Sequence, residues 1–167
     1  MLQHEKIKVI EADYQNPNHR KHLANALIAY ATDPMGGGKA LSNNQAQNSV
    51  TLLTEKNYTF SFLAFYENTC VGFANCVESI STFSAACIVN IHDFAVLPDY
   101  RGLNISQSLL TAIETYAKKH HYQKITLEVL EGNTIAQKAY RKFGFEAYQL
   151  DPEAGQALFW QKQLVLN

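Results

Sequence analysis

The stretch Ile91-His92-Asp93-Phe94-Ala95-Val96-Leu97-Pro98-Asp99-Tyr100-Arg101-Gly102-Leu103-Asn104-Ile105-Ser106 reads as a strand, a tight loop and the first turn of a helix. Its apolar run stops at Pro98, which cannot donate to a ladder. Past Arg101-Gly102 the period changes: Ile105, Leu109, Ile113 and Tyr116 fall on one helical stripe. A strand that feeds a helix through a short loop aims the helix's first backbone N–H groups at the loop. Those groups lack partners inside the helix, and the helix dipole favours negative charge beside them. A pyrophosphate suits such a place. An ordinary strand–turn–helix link is an equal reading of this segment alone.

Working upstream, Ile7 and Val9 alternate with polar residues like a first strand. Asn16-Pro17 starts a helix, Leu23, Leu27, Tyr30 and Ala31 share one of its faces, and Asp33-Pro34 ends it. Gly36, Gly37 and Gly38 form a loop, and Ser42 with Gln45 makes a capping box for a second helix carrying Ala46, Val50 and Leu53. Thr59–Tyr66 and Cys70–Ile80 are rich in β-branched and aromatic residues and flank the turn Glu67-Asn68-Thr69. A Ser/Thr-rich turn at Ser81–Ala85 leads to a third run, Ile88–Leu97.

Downstream, Ile125, Leu127 and Val129 alternate as a strand, Asn133 opens a helix and Gly144 closes it. Glu146–Leu150 and Ala157–Leu164 read as two further strands. The expected class is α/β, an α+β mixed sheet with helices on its faces. No repeat, linker or low-complexity tract divides the chain, so 1–167 is expected to be one domain.

Composition removes several functions. A net charge of −1 and the lack of any long Lys/Arg run argue against a nucleic-acid binder. No apolar stretch reaches membrane-spanning length, and the N-terminus has no signal-peptide core, so a cytoplasmic location without membrane association is expected. Cys70, Cys76 and Cys87 lack metal-ligand spacing and read as reduced, small hydrophobes.

The Ile91–Ser106 segment resembles the acetyl-CoA-binding motif of the GNAT superfamily of N-acetyltransferases. In that family a strand ending in Val-x-Pro precedes Arg/Gln-x-x-Gly-x-Gly/Ala, which falls here on Arg101-Gly102-Leu103-Asn104-Ile105-Ser106. Asn104 and Ser106 stand where the family usually carries glycine; Asn is the non-glycine residue best suited to left-handed backbone. A second run, Asn133-x-x-Ala136-x-x-x-Tyr140-x-x-x-Gly144-Phe145, is similar to the family's downstream motif in order and distance. Read alone, Ala136, Tyr140 and Phe143 would be a core stripe; the pairing with the upstream motif favours the cofactor. Motifs and spacer cover about a third of the chain.

The resemblance implies a mostly antiparallel sheet of about seven strands flanked by about four helices. It also implies acetyl-CoA as co-substrate, no metal, and direct attack of an amine on the thioester through a tetrahedral intermediate. A homodimer is compatible with it. Phe94, Ala95 and Val96 would run beside the cofactor and supply an oxyanion donor. Asn133 and Ala136 would meet it, and Tyr140 would face the thioester sulfur. Tyrosine and thiol reference pKa values, about 10 and 8.5, make full proton transfer to the thiolate uphill by roughly 2 kcal/mol. A strong hydrogen bond in the transition state serves as well.

Period-two alternation places Asn90, His92, Phe94 and Val96 on one strand face, with Ile91, Asp93 and Ala95 on the other. His92 is the candidate base, since imidazole titrates near neutral pH and similar arylalkylamine acetyltransferases carry a histidine there. A hydrogen-bonded structural histidine is nearly as good an account. Asp93 is expected to make a structural hydrogen bond, and Glu78 and Glu128 are weaker acidic candidates. Tyr30, Met35, Phe83 and Asn90 are expected to line the pocket of a small-molecule amine acceptor, although core packing explains Tyr30 equally well.

Gly36-Gly37-Gly38-Lys39-Ala40 brushes against a phosphate-loop pattern but lacks the Ser/Thr after Lys and a preceding strand. His120 and His121 suit a helix C-terminus and point about 100° apart, which disfavours a metal clamp. Lys138, Arg141 and Lys142 fit a solvated helix face better than a phosphate contact. A protein N-acetyltransferase and a catalytically silent acyl-CoA-binding module are the competing functions.

Overall fold

The computed structural model describes residues 6–149, 151, 153 and 155–164. It falls into two units, one ending at Leu130 and the other beginning at Glu131. In the first, β1 (Ile7–Glu11), β2 (Thr59–Tyr66), β3 (Thr69–Ser81), β4 (Ala86–Val96) and β5 (Ile125–Leu127) form one sheet in the order β1-β2-β3-β4-β5. The first three pairings are antiparallel and β4–β5 is parallel, which requires the crossover helix α3 (Ile105–Lys119).

The helix boundaries follow the local chemistry. The Asn16 side chain accepts from the Asn18 backbone N–H, and Pro17 opens α1 (Pro17–Thr32). Ser42 and Gln45 form the reciprocal capping box of α2 (Asn43–Thr54). Asp33 ends α1, and its carboxylate caps the short turn Pro34–Gly36.

Facing partners across an antiparallel ladder share a side of the sheet, which sorts the core into two layers. On one side Leu63 and Phe73 pack with Ala12, Leu23, Ala24, Leu27, Ala46 and Val50 beneath α1 and α2. On the other, Phe60 stacks on Tyr116 of α3 at 4.3 Å and Phe62 meets the same ring edge-on. Ile105, Leu109, Leu110, Ile113 and Ala117 make the buried stripe of α3.

One break in the ladder matters more than any strand boundary. Asn75 faces Asp93 but Cys76 faces Ile91, so His92 is an extra residue, a β-bulge, in β4. Asn75 lies on the α1 side with Phe73, and Cys76 on the α3 side with Phe60. The bulge therefore puts Ile91 and Asp93 on opposite sides. The simple alternation expected from sequence is corrected accordingly: Asn90 and Asp93 share the α1 side, while Ile91, Phe94 and Val96 belong to the α3 side.

The second unit contains α4 (Thr134–Phe143), capped by the Asn133 side chain on the Ala136 N–H and closed by Gly144 in left-handed conformation. The expected seven strands are corrected to five among the described residues. The tail segments Glu146–Leu150 and Ala157–Leu164 contribute one isolated bridge, Gln149 with Gln156; Leu150 lies outside the described residues. Leu158, Phe159 and Trp160 are 73%, 79% and 83% exposed in succession. Strand-forming composition without a ladder or a covered face does not make a strand. No described helix is long and apolar enough to cross a membrane.

Candidate functional site

The loop after β4 is built by backbone conformations that few residues adopt. Pro98–Tyr100 makes one tight turn, Gly102 sits at φ +80°, and Asn104 sits at φ +67° as the N-cap of α3. Asparagine reaches this left-handed region where most side chains are strained. The Asn104 side chain makes no cap bond to the first turn of α3. An anion is the natural partner for such a turn.

Arg101 braces this loop. Its Nε donates to the Val96 carbonyl at 3.1 Å, and its guanidinium pairs with Asp33 at 2.5 Å. The Arg101 bond, then the Met35 backbone N–H, holds the Asp33 carboxyl below the ordinary carboxylate range. The Arg101 side chain thus ties the end of α1 to the end of β4. Sequence reading missed Asp33: a residue capping a helix gives no sign of a partner sixty-eight positions away.

The β4–β5 ladder covers only Val89–Ile91 against Ile125–Leu127 and stops there. Beyond it lie the His92 bulge and Phe94, Ala95 and Val96. His92 is exposed and Phe94, Ala95 and Val96 are half-buried. Asn90 donates to Thr126 at 3.3 Å and to Glu128 at 3.2 Å, gathering polar groups of β4 and the end of β5 on the α1 side.

On that same side Asp93 ends a line of hydrogen bonds. Asn75 Nδ2 donates to its carboxylate at 2.9 Å, Ser61 Oγ donates to Asn75 Oδ1 at 2.7 Å, and Tyr14 lies 2.8 Å from Ser61. Ser61 and Asn75 are 0% and 1% exposed and are the buried polar side chains among the described residues. Beside this line, a cavity of about 360 Å³ opens between α1 and the facing ends of β3 and β4. Tyr30, Asp33, Phe73, Ala95, Val96 and Arg101 are among its walls. Burial, then the charges of Asp93 and Asp33, raises the Tyr30 phenol above its ordinary value, so it keeps its proton at neutral pH.

The structure gathers Tyr30, Asn90, Asp93 and Ala95 on the α1 side of the sheet near β4, with Val96 on the α3 side. Met35 lies outside the cavity wall and is 42% exposed; Phe83 is fully exposed in the β3–β4 turn. That turn is at the other end of β4 from Val96, roughly 30 Å away along a strand of this length. Glu78 is turned to the α3 side, where Tyr122 donates to it. In the second unit, Ala136 and Tyr140 lie one turn apart on α4, and Tyr140 is buried with its ring 5.8 Å from Phe145. Lys138, Arg141 and Lys142 are exposed. No group of metal-ligating side chains occurs among the described residues.

Residues 41–145 match the model of a family described as acetyltransferase (GNAT). Over 77 residues, 46% of the chain, the sequence is 35% identical to an uncharacterized N-acetyltransferase of Methanocaldococcus jannaschii. That match spans about a third of the relative's length, 34%. Among solved structures, an aminoglycoside acetyltransferase from an uncultured soil metagenomic sample superposes with TM-score 0.75 at 17% identity, covering 96% of this chain and 97% of the other. An aminoglycoside N-acetyltransferase in complex with CoA gives 0.72 at 17%, covering 95% of each. A transcriptional regulator from Bacillus halodurans C-125 gives 0.73 at 16%, covering 92% and 99%. At these identities the likeness is one of fold.

Proposed function

This chain belongs to the acetyltransferase (GNAT) family, and on that premise we propose that it moves the acetyl group of acetyl-CoA to a primary amine of a small molecule. The observation that carries this reading is the left-handed Gly102–Asn104 turn opening α3 without a side-chain cap, directly after a strand whose ladder with β5 has ended. The backbone from Arg101 to Ser106 would hold the pyrophosphate, with Leu103 and Ile105 seating the loop. Phe94, Ala95 and Val96 would run beside the pantetheine arm. Bound there, acetyl-CoA supplies an activated thioester carbonyl.

The remaining roles are assigned to this chain's side chains. His92, exposed at the bulge, would take the proton of the attacking amine, and Tyr140 would donate to the departing sulfur. Asn133 and Ala136 would meet the cofactor from α4. Tyr30 and Asn90 would face the acceptor; Met35 and Phe83 have no support from the cavity geometry. Aminoglycosides enter the acceptor panel because two similar folds carry that name.

Thermal unfolding with acetyl-CoA, against free adenosine nucleotide as control, tests the cofactor. Ligand at about a hundred times its Kd adds roughly 2.7 kcal/mol, a shift of several degrees. A shift with acetyl-CoA alone is expected, followed by thiol release with at least one amine from a panel of arylalkylamines, aliphatic diamines and aminoglycosides. Asn104→Gly should keep the shift and Asn104→Val should lose it, because a β-branched residue resists φ > 0. Tyr140→Phe should retain the shift and lose turnover. Absence of a shift at millimolar acetyl-CoA refutes the reading.

A further inference from the structure

The line Tyr14–Ser61–Asn75–Asp93 is too costly to be packing alone. Two of its side chains are fully buried in the middle of a sheet whose neighbouring positions are Leu63 and Phe73. Apolar residues there would avoid the desolvation of a hydroxyl and an amide. Every hydrogen in the line also points one way. A carboxylate only accepts, so Asn75 presents its NH2 to Asp93 and its carbonyl oxygen to Ser61. Ser61 therefore uses its single proton on Asn75, and the bond from Tyr14 must be donated by the phenol. Burial raises the Tyr14 phenol, so that proton stays in place at neutral pH.

A chain of donors aligned in one direction polarises along its length and strengthens the final bond. It ends on a half-buried carboxylate with no Lys, Arg or His within ion-pair distance among the described residues. The His92 bulge is what turns this carboxylate to the α1 side, the side that carries Ala95 and Tyr30. Fixed anion, no resident cation, and placement next to β4's reactive stretch describe a receptor for positive charge.

We propose that Tyr14, Ser61 and Asn75 are positioning residues that aim Asp93 at the ammonium group of the incoming acceptor. Asp93 thereby selects cationic amines at the binding step. The proposal rests on the acetyltransferase reading above.

The test uses the fastest amine found in the panel. Asp93→Asn keeps an acceptor oxygen for Asn75 and removes the charge. It should raise KM for that amine at least tenfold with kcat within about threefold, and leave the acetyl-CoA thermal shift intact. Ser61→Ala should raise the same KM about three- to tenfold in the wild-type background and leave it unchanged in the Asp93→Asn background, since it acts only through the charge. Tyr14→Phe keeps its ring and gives the same reading if Ser61→Ala fails to fold. An unaltered KM in folded Asp93→Asn overturns the proposal. So do Ser61 or Tyr14 effects that add in full to that of Asp93→Asn, as a merely structural network would produce. Loss of the wild-type acetyl-CoA shift sinks the enzyme reading instead, and the two failures are distinct.

Discussion

The two sides of this sheet are made by the same strands and do different jobs. Towards α3, Phe60, Phe62, Cys76, Val89 and Ile91 meet Leu109, Ile113 and Tyr116 in a dry, aromatic layer. Towards α1, Leu63 and Phe73 share their rows with Ser61, Asn75, Asn90 and Asp93. Both sides bury apolar side chains, but the buried hydrogen-bonded pair Ser61–Asn75 lies on the α1 side alone. A sheet can thus be stabilised through both of its faces while one of them also holds buried polar groups at an energetic cost. The division teaches where substitutions should hurt stability and where they should hurt turnover.

The sharpest way to break the comparison is Ile113→Ala. A fully buried side chain on the dry side should cost about 2–5 kcal/mol by chemical denaturation, with kcat per folded molecule retained. Equal loss of kcat would mean that the two sides are mechanically coupled.

Asp33→Asn probes the brace at the edge of the polar side and should cost roughly 1 kcal/mol, through the ion pair and the cap on Met35. The sign with pH follows from the depressed carboxyl. Asp33 contributes stability above the ordinary carboxylate value, and this is lost as pH falls through its lower folded value, below about pH 4. Unfolding curves between pH 6 and 3 should therefore show a shallower acid limb in Asp33→Asn than in wild type.

The smallest effect is a labelling difference. Burial on the dry side drives the Cys76 thiol far upward, and burial pushes Cys70 up to about 11. A disulfide reagent on the native protein should label the half-exposed Cys87 first and reach Cys76 only on unfolding. Early labelling of Cys76 would show the dry side to be open.

Local chemistry was legible in the sequence where it acts over a few residues. Asn16-Pro17, Ser42 with Gln45, and Gly144 mark helix ends because each cap bonds within one turn. The left-handed Asn104 is a property of asparagine itself. What could not be read depends on a partner elsewhere. Simple alternation runs straight through His92 in the sequence, because nothing about a histidine announces an extra residue beside the Asn75–Asp93 pair. Ser61 and Asn75 look like ordinary strand polars until the ladder sets them side by side. Trp160 and its neighbours have strand composition, yet a ladder is a relation between segments and is absent there among the described residues.

The bulge carries one consequence for how β4 can vary in length. Ile91 and Asp93 already face adjacent partners, Cys76 and Asn75, so removing His92 alone would close the ladder and leave every other side chain on its present side. Removing a residue of β4 away from the bulge would instead turn the stretch between that point and His92 to the opposite side. His92 is thus a seam at which the strand could be cut and rejoined, in a deletion or a chimera, with the architecture unharmed and the chemistry at that one residue erased.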